Sequence, residues 1–274
     1  MVGLIINCQP EHKLMSDVFC KGIERNAGIC DWTLWPLGSR CVPSIPYNDG
    51  SVKILFCTNK GDTAVDKAVD SLRDRIRGAE VTVYAHGEHD SGELALDCLD
   101  CGARDFFNVT MPANLVGKRV EYALKKGVTP YPKIEVDIAS GSRVFVSTPY
   151  SPEAEIDITA MEAAIKRAGF FSQVSRETLP AEELYKKVTD EISESKLVVA
   201  NCTVYTQSGH NANVFLEIGF ALAKGIPVVY FMRVGSPPLP ALLRGKLCGQ
   251  FHTAADLAVQ LCYGLSGQSR HEKD

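Results

Sequence analysis

Short apolar runs rich in Val and Ile alternate with longer stretches of helical periodicity along most of the 274 residues. Such runs are typical of buried parallel strands, because both faces of a parallel sheet are covered by helices. A helix between consecutive strands is typical of doubly wound α/β folds. The pattern occurs twice, so it predicts an α/β chain with two flavodoxin-like domains, each a doubly wound parallel sheet.

The first half contains five predicted strands and four predicted helices in this alternation. We predict strands at 2–8, 32–37, 52–57, 81–85 and 105–109. We predict helices at 16–26, 63–77, 91–101 and 113–126. The Pro-rich stretch that follows, up to Ser142, disfavours a continuous helix. We therefore predict domains at 1–130 and 143–274.

The second half repeats the alternation. Its predicted strands are 143–148, 171–175, 197–201, 226–232 and 250–252. Its predicted helices are 152–168, 180–195, 213–224 and 254–265, with Gly169 and Gly225 ending the first and the third. Asn213 is the predicted N-cap of the third helix.

The composition excludes several classes of protein. Hydrophobic residues make up 45% and charged residues 23%, and no apolar run approaches the roughly 20 residues of a membrane helix. Lys and Arg total 29 against 33 Asp and Glu, which gives a net charge of −4 and no electrostatic basis for binding duplex nucleic acid. The first residues have no basic segment followed by a long apolar core, so we expect a cytoplasmic protein with no membrane partner.

The ten cysteines are spread along the chain, mostly in apolar contexts, and are interpreted as buried free thiols. Cys98 and Cys101 have the spacing of a metal or redox pair, but no second pair follows at zinc-finger distance. We therefore expect no metal and no resident cofactor.

Polar residues follow the predicted strands of the second half, where doubly wound sheets bind their ligands. The candidate binding residues are Ser147, Thr148, Pro149, Tyr150, Arg176, Asn201, Thr203, Asn211 and Asn213. Because the carboxyl ends of parallel strands share one edge of the sheet, we expect these residues to converge there.

Glu217 is the candidate catalytic residue, since it falls in the first turns of a mostly apolar helix beside that edge. Cleavage of an N-glycosidic bond passes through an oxocarbenium-like state, which a carboxylate stabilises or captures covalently. The same position also suits a carboxylate that only complements the helix dipole, a role that contributes about 0.3–1 kcal/mol. Spacing alone favours neither interpretation.

Three segments of the second half resemble the TIR-like and nucleoside 2-deoxyribosyltransferase-like nucleotide-binding superfamily. They are Val144-Phe-Val-Ser-Thr-Pro-Tyr150, residues 195–203 and Asn211-Ala-Asn-Val-Phe-Leu-Glu-Ile-Gly219 with its continuation to Val229. The resemblance covers residues 143–265 and implies that Glu217 is the catalytic carboxylate, acting on deoxyribosides, nucleoside monophosphates or NAD. Asn201 and Asn211 stand where deoxyribosyltransferases carry acids, and Asn cannot titrate, so deoxyribosyl transfer is the weaker alternative.

Several of these polar residues have both a functional and a structural interpretation. Asn211 and Asn213 either bind ribose hydroxyls or make turns and caps, and Ser147 with the backbone near Thr148 either holds a phosphate or makes a turn. Tyr150 can stack on a base, and Arg176 either pairs with a phosphate or is solvated. His210 is either an acid or base or an ordinary loop histidine.

The first half resembles a response-regulator receiver domain, on its five strand-and-helix units and on Cys101-Gly-Ala-Arg-Asp-Phe-Phe107. Receivers require an acidic pair, a phosphoacceptor Asp and a Lys at three strand ends. Here those places hold Asn7-Cys8, Cys57-Thr58 and Asn108. The resemblance therefore implies a degenerate pseudo-receiver that serves docking, regulation or assembly, and we expect a homo-oligomer.

Together these observations predict hydrolysis of an N-glycosidic bond in a small-molecule nucleotide, either NAD or a nucleoside monophosphate, with Glu217 as the catalytic carboxylate. In this hypothesis NAD is a possible substrate and not a cofactor. The alternative is a non-catalytic nucleotide-sensing or signalling adaptor regulated by the pseudo-receiver.

Overall fold

The computed structural model divides the chain into two compact units, Met1–Pro130 and Tyr131–Asp274. The structure describes residues 3–8, 31–36, 51–58, 80–87, 90–100, 103–108, 110–126, 131, 134, 136, 138–175, 180–205, 209, 211–244, 246 and 248–266. Within this part of the chain, ten strands and six α-helices are present. The prediction of an α/β chain is confirmed.

The first unit contains a five-stranded parallel sheet in the order β2-β1-β3-β4-β5. Its strands are β1 (Gly3–Cys8), β2 (Asp31–Pro36), β3 (Ser51–Thr58), β4 (Glu80–Gly87) and β5 (Ala103–Asn108). Helices α1 (Gly92–Asp100) and α2 (Ala113–Lys126) flank β5 along the chain. The helices predicted at 16–26 and 63–77 lie outside the described residues.

Asn108 ends β5. Its side chain is buried, and Oδ1 accepts hydrogen bonds from the backbone N of Thr110 at 2.9 Å and from the Thr110 hydroxyl at 2.7 Å. Asn108 thus organises the turn after the strand. The docking or regulatory role of this unit stays a prediction.

The second unit contains another five-stranded parallel sheet, in the order β10-β9-β8-β6-β7. Its strands are β6 (Arg143–Ser147), β7 (Phe171–Gln173), β8 (Leu197–Asn201), β9 (Val228–Arg233) and β10 (Cys248–Phe251). Its helices are α3 (Glu155–Arg167), α4 (Ala181–Glu194), α5 (Ala212–Ala223) and α6 (Ala254–Ser266). The strand order reverses between β6 and β8, which makes their carboxyl ends a topological switch point. The flavodoxin-like assignment of both units stays a prediction.

Burial explains why these segments form the centre of the second unit. All five residues of β8 are buried, and so are the last four of β6. Phe145 and Val198 pack with Ile192 of α4 and Ala221 of α5 in one apolar cluster. The two helices are therefore held over the switch-point strands.

Two glycines end helices of the second unit, as the sequence predicted. Gly169 follows α3 and Gly225 follows α5, with φ angles of 88° and 72°. These left-handed conformations are strained for residues with a Cβ atom, so glycine is favoured at both positions.

Candidate active site

The carboxyl ends of β6 and β8 bring two of the predicted site residues to one edge of the sheet. Ser147 is the last residue of β6, and it pairs in register with Ala200, the neighbour of Asn201 on β8. Ser147 and Asn201 are both fully buried. This edge is the switch point, where ligands bind in doubly wound sheets.

Glu217 reaches this edge from the second turn of α5. The Ser147 hydroxyl donates a hydrogen bond to Glu217 Oε2 at 2.5 Å, across 70 residues of chain. The structure therefore joins the predicted carboxylate to a predicted binding residue of the first strand.

The electrostatic surroundings make Glu217 titrate near neutral pH. Burial disfavours the charged form and is the largest influence, and it raises the pKa of Glu217 from 4.5 to about 7. The hydrogen bond from Ser147 lowers this pKa, whereas the nearby Glu191 raises it. A carboxyl group with a pKa near the working pH is suited to reactions that need either of its protonation states.

Glu191 was missed by the sequence analysis. It lies on α4 and accepts a hydrogen bond from Gln173 Nε2 at 3.1 Å, and Lys187 Nζ lies 3.7 Å from its Oε1. Charged residues are frequent along α4, so the sequence alone carries no signal that distinguishes Glu191 from its neighbours.

The start of α5 corrects one prediction. The helix begins at Ala212 and its N-cap is Asn211, so the assignment of Asn213 as the cap was wrong by two residues. Asn211 Oδ1 accepts hydrogen bonds from the backbone N of Asn213 at 3.0 Å and of Val214 at 3.4 Å. Both asparagines suit a cap by residue type, and the backbone turn selects the earlier one. The exposed Asn213 side chain lies in the first turn of the helix.

Asn201 belongs to a polar network behind the strand ends. Its Nδ2 donates to the Tyr205 hydroxyl at 2.7 Å, and its Oδ1 accepts from the backbone N of Thr203 at 3.1 Å. The Tyr205 hydroxyl in turn donates to Asp157 Oδ2. The Asn201 side chain therefore orders the segment that follows β8.

Arg233 completes this network from the end of β9. Its Nη2 lies 2.6 Å from Oδ1 of the fully buried Asp157, and its Nη1 donates to the His252 carbonyl at 2.9 Å. Its backbone N donates to the Thr203 hydroxyl at 2.9 Å. The predicted binding residue Thr203 is thus buried and holds two strand ends together. Asp157, Tyr205 and Arg233 were not singled out by the sequence analysis.

The loop after β6 carries three further predicted residues. Thr148 Oγ1 is buried and has no hydrogen-bond partner in the part of the chain that the structure describes. Pro149 is buried, whereas 63% of the Tyr150 surface is exposed. Arg176 and His210 lie outside the described residues.

A pocket of about 540 Å³ lies between α4 and α5. Its lining is mostly apolar, with Leu184 and Val188 on one side and Phe215, Leu216 and Phe220 on the other. Glu217 and Asn213 are also part of its wall. The candidate carboxylate therefore borders an apolar cavity as well as the strand ends.

Two described thiols of the second unit, the buried Cys202 and the partly buried Cys248, lack the lowered pKa of reactive cysteines. Burial raises the pKa of Cys202 to about 12 and that of Cys248 to about 11, so both remain protonated at neutral pH. Among the described residues, Cys98, Cys202, Cys248 and Cys262 form no disulfide bond, and no three His, Cys, Asp or Glu side chains are grouped to hold a metal ion. Cys101 lies outside the described residues.

Within the described ranges, no helix is both long enough and apolar enough to cross a membrane.

Comparison with solved structures gives distant similarities. No protein-family model and no curated protein sequence matches the chain. Among solved structures, the CMP N-glycosidase BcmB of Clostridium botulinum is 18% identical with a TM-score of 0.36, over 43% of this chain and 97% of that one. The C-terminal domain of glucosamine-fructose-6-phosphate aminotransferase from Francisella tularensis is 10% identical with a TM-score of 0.31, over 97% of this chain and 82% of that one. These TM-scores are too low to assign an activity.

Proposed function

We propose that the second unit hydrolyses an N-glycosidic bond in a nucleotide, with Glu217 as the catalytic carboxylate. The observation that carries the proposal is the position of Glu217: it is hydrogen-bonded to Ser147 at the switch point and has a pKa raised to about 7. Perturbed carboxyl groups beside a cavity are typical of functional sites.

The chemistry requires a group that stabilises positive charge at the anomeric carbon. The bond from C1′ to the base nitrogen breaks, and a bond from C1′ to a water oxygen forms. One proton of that water is released, and a neutral nucleobase takes up a proton on leaving, whereas a pyridinium base such as that of NAD leaves without one. The ionised Glu217 stabilises the oxocarbenium-like state or captures it covalently before water completes the reaction.

The surrounding residues have positioning roles in this proposal. Ser147 fixes the carboxyl group through Oε2. Thr148, with its unpartnered hydroxyl, and the backbone of the following loop are available to a phosphate, with Arg176 as a second candidate. Asn213 on the pocket wall presents an amide for the ribose, and Tyr150 presents an exposed ring on which a base can stack. NAD and nucleoside monophosphates both present these groups.

The alternative function is nucleotide binding without turnover. Two of the predicted binding residues favour this alternative, because their side chains already have structural roles. The Asn201 side chain orders the segment after β8, and Asn211 caps α5. Neither amide can supply the proton that a leaving nucleobase needs. In this case the pocket would report nucleotide levels to a partner of the first unit.

Base release from purified full-length protein tests the two functions. NAD, nucleoside monophosphates and deoxynucleosides are incubated with wild type, Glu217→Gln and the control Glu183→Gln, an exposed carboxylate in the first turn of α4. We expect the control to match wild type and Glu217→Gln to be slower by roughly 10²–10⁴-fold.

Equal release by Glu217→Gln would contradict the proposal. Absence of release, combined with a nucleotide that raises the melting temperature, would instead support the binding function.

A further inference from the structure

The pocket between α4 and α5 is formed by one face of each helix. On α4, Leu184 and Val188 are one turn apart, and Ile192 continues the row by another turn. On α5, Leu216, Glu217 and Phe220 lie on the facing side. The lining residues of α5 run from Asn213 to Phe220, and Glu217, which is bonded to Ser147, lies between them.

The pocket offers few hydrogen-bonding groups. The Thr189 hydroxyl on its wall is already bonded to the backbone carbonyls of Tyr185 and Lys186 in its own helix, at 3.0 and 2.9 Å. Among the described residues of the wall, Glu217 is the single charged group, Asn213 is the one side-chain amide, and Tyr185 adds one phenol hydroxyl. The remaining surface is mainly aliphatic and aromatic.

Such a wall discriminates between ligands by their polarity. Apolar ring surface gains affinity when it leaves water, whereas a buried donor or acceptor without a partner loses roughly tenfold or more in affinity. The volume of about 540 Å³ lies within the range of about 300–1,000 Å³ that is usual for small-molecule sites. An aromatic ring system fits both the volume and the lining.

We propose that this pocket receives the leaving base, and that it selects aromatic bases with few hydrogen-bonding groups over cytosine and guanine. The inference rests on the proposed function, because Glu217 borders both the pocket and the strand ends where the sugar and phosphate would lie. The substrate class is therefore a ribonucleotide of a weakly polar fused ring, for which benzimidazole is the simplest probe.

Two exposed leucines of α5 provide a matched pair of variants. Leu216 is on the pocket wall and 60% exposed, and Leu222 is 43% exposed and lies outside the wall. A lysine at either position remains largely in solvent, so both Leu216→Lys and Leu222→Lys should fold. Leu216→Ala serves as a second variant that removes apolar contact without adding charge.

The test has a binding arm and a turnover arm with the full-length protein. Calorimetry measures the binding of free benzimidazole and of free cytosine, and we expect benzimidazole to bind at least tenfold more tightly. Leu216→Lys should weaken benzimidazole binding at least tenfold and Leu216→Ala less, with Leu222→Lys equal to wild type. In the turnover arm, benzimidazole riboside 5′-monophosphate should exceed CMP at least tenfold in kcat/KM.

The outcomes separate this inference from the proposed function. Two results would overturn the selectivity without contradicting hydrolysis. One is Glu217-dependent release with equal kcat/KM for both nucleotides, and the other is tighter binding of cytosine than of benzimidazole. Equal binding of benzimidazole by Leu216→Lys and Leu222→Lys would overturn the location. Binding of benzimidazole that Leu216→Lys disrupts, without release of base from any nucleotide, would support the pocket and contradict hydrolysis.

Discussion

Ser147 Oγ donates a hydrogen bond to Glu217 Oε2 at 2.5 Å, and this contact joins the end of β6 to the second turn of α5. The donor stabilises the ionised carboxyl group, whereas burial and Glu191 destabilise it. Because these influences oppose one another, the pKa of Glu217 is about 7, a value that small changes in its surroundings can move.

The pH dependence of base release should follow this pKa. With the ionised Glu217 as the active form, kcat/KM should rise by about tenfold per pH unit below pH 7 and level off above it. In Ser147→Ala the lost hydrogen bond raises the pKa of Glu217, so the rise should move to higher pH by about one unit. Rates at low substrate concentration between pH 5 and pH 9 measure both effects.

Ser193→Ala is the control for this experiment, because the exposed Ser193 hydroxyl donates a hydrogen bond to the Thr189 carbonyl of its own helix. Its profile should overlie that of wild type. A Ser147→Ala profile that overlies wild type would show that the hydrogen bond does not influence the titration.

The stability of the fold should also depend on the ionisation of Glu217. The native pKa of about 7 exceeds the ordinary value of 4.5, so the folded state holds the proton more tightly than the unfolded state. The contribution of this group to the free energy of unfolding therefore falls as the pH rises from about 4.5 to about 7, by at most roughly 3 kcal/mol. Glu217→Gln should abolish this loss.

Urea unfolding of wild type and Glu217→Gln at pH 4.5 and pH 8, followed by circular dichroism, measures the difference. The variant should gain stability relative to wild type at the higher pH. The same difference in unfolding free energy at both pH values would contradict a raised pKa.

The elements around this site were predictable because their signals are local. The apolar runs identify β6 and β8, which the structure places at Arg143–Ser147 and Leu197–Asn201, and Gly169 and Gly225 mark the ends of α3 and α5. The predicted bounds of the edge strands were less accurate. The structure ends β7 at Gln173, whereas the prediction ended it at residue 175, and it begins β10 at Cys248, whereas the prediction began it at residue 250. Short, partly exposed strands have weak apolar patterns, so their bounds are harder to predict. Glu217 was chosen as the candidate carboxylate on its place in the helix and on the family resemblance, and its catalytic role stays a prediction.

The surroundings of Glu217 were not predictable, because they depend on residues that are distant in sequence. Glu191 influences Glu217 from another helix, and the contact between Asp157 and Arg233 spans 76 residues. No local pattern distinguishes these charged residues from the solvated ones beside them. The choice between Asn211 and Asn213 as cap depends on one backbone turn, which residue preferences do not resolve.

Alanine variants of the two asparagines at the start of α5 should have different effects, one on the stability of the fold and the other on nucleotide binding. Asn211→Ala removes the acceptor of two backbone N–H groups and should cost about 1 kcal/mol in the free energy of unfolding. Asn213→Ala removes an exposed side chain and should change that free energy by less than about 0.5 kcal/mol, but it should raise KM for the nucleotide. Urea unfolding and initial rates measure the two effects. Equal losses of stability in both variants would contradict the assignment of the cap.

The network of Asp157, Tyr205 and Arg233 should be strongly coupled. Asp157 is fully buried, so Arg233→Met leaves its charge without the guanidinium partner and should cost about 3 kcal/mol in the free energy of unfolding. Burial and the Asp157 carboxylate raise the pKa of the Tyr205 phenol, which therefore remains a donor at neutral pH, and Tyr205→Phe should cost about 1.5–3 kcal/mol.

The double variant Asp157→Asn/Arg233→Met removes both charges together. It should lose less stability than the sum of the two single variants, by at least about 1 kcal/mol, because neither charge is left buried alone. A double-mutant cycle by urea unfolding measures this coupling, with the exposed pair Arg143 and Glu194 as the control cycle. The exposed pair should couple by less than about 1 kcal/mol, since solvent screens it. Additive losses at Asp157 and Arg233 would show that their contact does not stabilise the packing of α3 against the end of β9.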